Sequence, residues 1–317
     1  MPLDSSQTAA DQALLQLGKR LRADGYHFTC VTPATHALVN ARPGAEKACT
    51  VSDVFGWSRP FAASMLSDDE LDLMKTAGVV NTHRDLLAST VRWSTLDGVM
   101  LVHSAYPTQA SDAVFFGPDS YRFAHVIQDH LQSTLKRIER AVDIGCGTGV
   151  GALVIARAAQ HAQVTAVDIN PNALRFTAVN TALADVSNVS VQHSNILQDV
   201  TGQFDLIVAN PPYMLDDGER TYRHGGGSLG ADLSRRIIEQ SLKRLTVGGS
   251  LLLYTGVAIV EGQDALLEGV REQLAGPEFS WVYREIDPDV FGEQLLEPGY
   301  ERVERIAAVA LTVTRNR

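Results

Sequence analysis

Ala141-Val-Asp143-Ile-Gly145-Cys-Gly147-Thr-Gly149-Val-Gly151 is a short β-rich run that breaks into a glycine-rich turn and continues into a helical pattern over residues 152–160. Glycines in such a turn permit positive φ and let a ligand come close to the backbone. The start of the following helix offers free N–H groups and a partial positive charge to an anionic group. Further on, Val164-Thr-Ala-Val-Asp168 reads as a second strand ending in a carboxylate, placed to accept both hydroxyls of a ribose. A third strand over residues 189–194 precedes Asn195 and Ile196, where an adenine ring would lie. Asn195 can donate and accept, so it suits the edge of that ring and suits an ordinary turn equally well. Together these pieces predict a nucleoside-cofactor site on a Rossmann-like α/β sheet.

Two cofactors compete for the turn. Gly147-Thr-Gly149-Val-Gly-Ala152 satisfies the dinucleotide fingerprint, which is weak evidence when it stands alone. Asp143 lies on the strand immediately before the turn, where its carboxylate would repel a pyrophosphate and attract an ammonium group. A purely structural use, capping the turn, is the alternative for that residue. Asp143, the glycines and Asp168 fit S-adenosylmethionine better than NAD.

Farther along, Phe204-Asp-Leu-Ile-Val-Ala-Asn210-Pro211-Pro212-Tyr213 is an apolar strand that runs into a stiff tetrapeptide. Each proline fixes its own φ and biases the residue before it toward extended backbone. Neither offers an N–H, so nearby carbonyls are not committed to a ladder. An amide side chain, prolyl carbonyls and a ring make a holder for a flat group carrying N–H donors, although Asn-Pro-Pro also serves as a plain strand stop. Taken as catalytic, Asn210 and Pro211 would accept N–H groups and Tyr213 would stack on the planar group.

With Val142-Asp-Ile-Gly-Cys-Gly-Thr-Gly149, Asp168 and Asn210-Pro-Pro-Tyr213 in this order, the chain resembles class I S-adenosylmethionine-dependent methyltransferases. Within them it is similar to the N-P-P-Y branch that methylates planar nitrogen, which includes release-factor glutamine methyltransferases, adenine amino-methyltransferases and some ribosomal RNA guanine methyltransferases. The resemblance covers residues 111–317 and implies a Rossmann-like, seven-stranded methyltransferase sheet. It also implies that Asp143, Gly145, Gly147 and Thr148 line the methionine end, Asp168 the ribose and Asn195 the adenine edge, where many relatives carry Asp. Gly117-Pro-Asp-Ser-Tyr121 aligns with the Arg-Pro-Asp-Thr-Glu segment of the glutamine methyltransferases, a loop over the cofactor to which Tyr121 would contribute. Gly stands there for Arg and Tyr for Glu, which points to a different substrate.

Residues 1–110 form the other predicted domain, smaller and mainly helical. Leu14, Leu17 and Leu21 recur at helical spacing, and Ser67-Asp-Asp-Glu70 has the form of a capping box before a helix ending at Gly78. Asp97-Gly98 between two β-rich runs signals a hairpin. Helices followed by a hairpin resemble a small winged-helix module, which could bind nucleic acid beside a cofactor-sensing domain. Residues 1–110 carry nine Lys and Arg against eleven Asp and Glu, a net of −2, and the whole chain of 317 residues is at −10. Nucleic acid is therefore a disfavoured partner, and the expected acceptor is a protein glutamine or a small molecule chosen by this domain. The aromatic segment at 111–123 is expected to fold over the mouth of the second domain, ahead of a helix at 124–135. A mobile substrate loop is expected at 215–230, with Arg223 and His224. Three scattered cysteines suggest neither disulfides nor a metal site. No apolar run reaches the roughly 18 residues of a membrane span, so a cytoplasmic protein is expected.

Overall fold

The computed structural model describes residues 8–214, 225–226 and 230–317. Most of the expected substrate loop, including Arg223 and His224, lies outside the described residues.

Helix α1 (Ala9–Ala23) begins at Thr8, whose hydroxyl accepts from the Asp11 N–H while Asp11 reaches back to Thr8. Short helices α2 (Pro33–Asn40) and α3 (Val51–Phe55) follow. Helix α4 (Asp68–Ala77) has the reciprocal Ser67–Glu70 capping box and stops at Gly78 in the left-handed region, as the sequence indicates. Two hairpins come next: β1 (Val80–His83) with β2 (Leu86–Ser89), then β3 (Val91–Leu96) with β4 (Val99–Ser104). Asp97 and Gly98 turn the second hairpin, both at positive φ. That hairpin is no exposed wing, because Trp93, Leu101 and Val102 are fully buried. It packs inward as a layer of the core instead.

Helix α5 (Pro118–Ser133) starts six residues earlier than the sequence pattern suggests. Gly117 is its cap and Pro118 its first residue, where a missing N–H costs nothing. Beyond it lie β5 (Arg140–Ile144), α6 (Val150–Ala158), β6 (Gln163–Asp168), α7 (Pro171–Leu183), β7 (Val189–His193) and β8 (Phe204–Ala209). Helix α8 (Asp232–Leu242), β9 (Leu245–Val260), the two-residue β10 (Gln263–Asp264), α9 (Ala265–Gln273), β11 (Phe279–Asp287) and β12 (Arg305–Arg315) complete the chain.

The main sheet runs β11-β12-β9-β8-β5-β6-β7, with β10 paired to β9 at one end. Strands β5 to β9 are parallel neighbours, and β12 is antiparallel to both β9 and β11. Parallel strands buried on both faces read as unbroken apolar runs, and alternate residues face opposite sides. Leu206 and Val208 accordingly join a cluster with α5 and α6, while Ile207 and Ala209 join one with α8 and α9.

A third cluster makes residues 1–110 continuous with the sheet layer. Leu14, Leu17, Phe55, Phe61 and Trp93 pack against Phe176, Val179 and Leu183 of α7. A Cβ on Gly18 would come within 2.6 Å of the Trp93 ring and 3.0 Å of Leu183. The glycine lets α1 lie directly on both. Among the described residues no helix is long and apolar enough to cross a membrane.

Candidate active site

Strand order reverses between β5 and β8, whose C-terminal ends lie side by side. Ligands of open α/β sheets bind at such a switch point. Here it brings the glycine turn after β5 next to Asn210-Pro211-Pro212 after β8.

Gly145, Gly147 and Gly149 all have positive φ, a conformation that costs other residues about 1–2 kcal/mol. Helix α7 holds the turn from below. Thr177 Oγ1 donates to the Gly147 carbonyl at 3.0 Å, and Asn180 Nδ2 donates to the Thr148 carbonyl at 2.9 Å. Asn180 also accepts from the Val102 N–H and donates to its carbonyl. One buried amide thus ties β4 to the turn. Neither residue stands out in the sequence as a site residue, and their i, i+3 spacing on an otherwise apolar helix is the signal that could have found them.

Asp143 departs from expectation. Its Oδ2 accepts the Ala152 N–H at 2.8 Å, and a Cβ on Gly151 would touch the carboxylate at 2.8 Å. The side chain caps the start of α6, is 1% exposed and does not border the cavity. The buried helix end claims it first, because unpaired N–H groups there are costly. Burial pushes its carboxyl up from 3.8 to about 7, against the Ala152 N–H and with the Asp168 carboxylate. The fold therefore keeps a proton that the unfolded chain releases. Stability from this group is complete below the unfolded value and is lost as pH rises through about 7. The ligand-free protein should melt at lower temperature at about pH 8 than at about pH 6, and Asp143→Asn should flatten that slope. An unchanged slope in the variant would rule out a proton held on Asp143.

Asp168 ends β6 as expected. Its Oδ2 accepts from the Gly147 N–H at 3.0 Å and its Oδ1 from the Asn170 N–H at 2.9 Å. Burial raises its pKa, and the N–H groups of Asn170, Gly147 and Ile169 oppose the rise. Gly145, Gly147, Thr148, Asp168 and Asn195 line one cavity, in which Ile169 and Ile196 supply apolar surface. Ile169 is 47% exposed there, a feature that no sequence signal marked.

The aromatic segment closes over this cavity. Asn170 donates to the Asp112 carbonyl and Asn172 to its carboxylate, which pins the chain so that Ala113, Val114 and Phe115 form part of the wall. Phe116 and Phe123 are core residues. Tyr121 does not border this cavity: its hydroxyl accepts from the Cys30 N–H and its ring meets Phe116 edge-on. The cause is the early start of α5, which turns residue 121 toward the N-terminal region. A Cβ on Gly117 would meet the Phe115 ring at 2.6 Å, so glycine there makes room for that ring.

A second cavity lies across residues 210–212. Phe115, Asn210, Pro211 and Pro212 border both cavities, and Tyr106, Tyr213, Phe291, Glu293 and Glu297 border only the second. Tyr213 reaches it as a fixed wall. Its ring lies over Gly256 of β9, where a Cβ would come within 2.1 Å, and meets Phe291 edge-on. Its hydroxyl donates to Asp119, which also accepts from Tyr254 at 2.8 Å and Arg122 at 3.2 Å. Burial raises the Asp119 pKa, and these donors oppose the rise. Arg122 in turn pairs with Asp287 at 2.6 Å. Among the described residues no cluster of His, Cys, Asp and Glu could hold a metal.

Residues 122–260 match the family described as the methyltransferase small domain. The chain is similar to the release factor glutamine methyltransferase of Deinococcus radiodurans, 36% identical over 38% of this chain and 47% of that protein. It is 30% identical to the ribosomal protein uL3 glutamine methyltransferase of Xanthomonas campestris, over 46% of this chain and 49% of the relative. Against the ribosomal RNA small subunit methyltransferase C of Serratia proteamaculans the identity is 32%, over 35% and 29%. The chain spans about half the length of these two glutamine methyltransferases.

Proposed function

We propose that this chain transfers a methyl group from S-adenosylmethionine to a planar amide or amine nitrogen, carried by a protein glutamine or a small metabolite. One observation carries the reading. Asn210, Pro211 and Pro212 are the common wall of two cavities, so a donor and an acceptor can meet across them. The donor side fits the cofactor. A Cβ on Gly145 would meet no protein atom within 4 Å, which leaves bare backbone facing open space. Asp168 would hold the ribose, Asn195 the adenine edge, and Gly145, Gly147 and Thr148 the methionine end. Bound there, S-adenosylmethionine would supply an electrophilic methyl group on a sulfonium.

The chain's own groups address the acceptor. An amide nitrogen is a poor nucleophile because its lone pair is delocalised. The Asn210 side-chain oxygen and the Pro211 carbonyl would each accept one N–H and turn the lone pair toward the methyl group. As the nitrogen took up the methyl group, the sulfur–methyl bond would break and leave S-adenosylhomocysteine; the two oxygens would stabilise the positive charge growing on the nitrogen, and one proton would then leave to water. Such positioning and electrostatic stabilisation supply several kcal/mol of barrier lowering. Tyr213 and Phe115 would flank the planar group. We assign residues 111–317 to catalysis and residues 1–110 to acceptor choice, since Pro33 and Tyr106 to Gln109 border the second cavity. Calorimetry with S-adenosylhomocysteine and NAD tests the cofactor: the former should bind, and preferential binding of NAD would overturn the assignment.

A further inference from the structure

The second cavity has a chemical character of its own. Its walls are aromatic and apolar where Tyr106, Pro107, Met214 and Phe291 face it. Tyr106 is stacked on His36 with ring centroids 4.0 Å apart, which holds its ring in place. Three carboxylates border the cavity and no Lys or Arg does among the described lining residues. Of the three, Asp119 is engaged by Tyr213, Tyr254 and Arg122 and adds no free charge. Glu293 and Glu297 differ, being exposed and in no ion pair among the described residues. Both come from the short turn Gly292–Leu296 and its end, beside Phe291.

Building on the methyltransferase reading, we propose that the methyl acceptor carries a positive charge next to its reacting nitrogen, received by Glu293 and Glu297 with the Tyr106 and Phe291 rings beside them. Carboxylates and aromatic faces together are cation-recognition chemistry. A phosphate-bearing acceptor would meet two like charges and no counter-charge among the described lining residues. His36 behind Tyr106 does not alter the balance, because burial lowers its pKa to about 4 and leaves it neutral. The cation can be a Lys or Arg side chain flanking a glutamine in a polypeptide, or the charged group of a small metabolite.

The test is transfer of radiolabelled methyl from S-adenosylmethionine into an extract of cells lacking the gene, followed as an initial rate and fractionated afterwards. Label should appear in protease-sensitive material if the cation belongs to a polypeptide, and in the low-molecular-weight fraction if it belongs to a metabolite. The double variant Glu293→Lys, Glu297→Lys should lower the initial rate at least about tenfold, and the Gln pair should fall between. Added salt should slow the wild type more than the Gln pair. Affinity for S-adenosylhomocysteine and the melting temperature should not change, since neither residue borders the donor cavity. Nuclease-sensitive label, or a charge-reversed protein that works at the wild-type rate, overturns the proposal. A wild-type protein that transfers no label to any fraction refutes the methyltransferase reading, and the cation proposal falls with it.

Discussion

Replacing Asn210 with Ala should slow methyl transfer by about two to three orders of magnitude, the range seen when one preorganised polar group is removed from a charge-stabilising site. Asn210 directly follows the buried strand β8 and borders both cavities. Its backbone is held by the strand before it and the two prolines after it, so truncation of the side chain should leave the wall standing. The loss should therefore fall on turnover, with affinity for S-adenosylhomocysteine nearly unchanged. Asn210→Asp is the informative partner. It keeps an oxygen acceptor in place but adds a charge, and it should recover part of the rate if acceptance of an N–H is what matters. Initial rates of label transfer, with calorimetry on each protein, check the split. Wild-type rates in Asn210→Ala would end the proposed mechanism.

Asp168→Ala should act on binding instead. The carboxylate already orders the turn through the Gly147 N–H and the loop after β6 through the Asn170 N–H. Its remaining lone pairs face a cavity that suits ribose hydroxyls. Hydrogen bonds to a charged acceptor contribute about 1.5–3 kcal/mol each, so loss of both ribose contacts should weaken cofactor affinity at least about a hundredfold. Asp168→Asn preserves one acceptor oxygen and should give an intermediate value. Titration with S-adenosylhomocysteine reads the effect directly. An Ala variant that binds as tightly as the wild type would remove Asp168 from the cofactor site.

Features legible in the sequence are those whose cause is local. Gly145, Gly147 and Gly149 announce a turn because few other residues adopt positive φ at low cost. Ser67 and Glu70 announce the start of α4 because they bond to each other's N–H across three residues. Asp97-Gly98 announces a hairpin because both residues tolerate the turn's backbone. The discrepancy at α5 is also local: Gly117-Pro118 reads as part of a loop, and the same pair is equally suited to start a helix, as it does here.

The second cavity shows the limit most clearly. Pro33, Tyr106, Phe291 and Glu297 come from segments far apart in the chain, and no pattern in any one of them hints at the others.

By itself the sequence determined the strand–turn–helix after residue 140, the carboxylate at 168, the stiff Asn-Pro-Pro segment at 210–212 and the alternation of strands and helices that builds a parallel sheet. Each depends on residues a few positions apart. Only the tertiary structure decided that Asp143 serves a helix end, that Tyr121 belongs to the N-terminal packing, that Thr177 and Asn180 hold the turn, and that residues 210–212 divide two cavities. The physical reason is the order of the strands. Reversal between β5 and β8 brings two loop ends together, and α7 joins the two halves through one apolar core. Neither consequence can be read from neighbours along the chain.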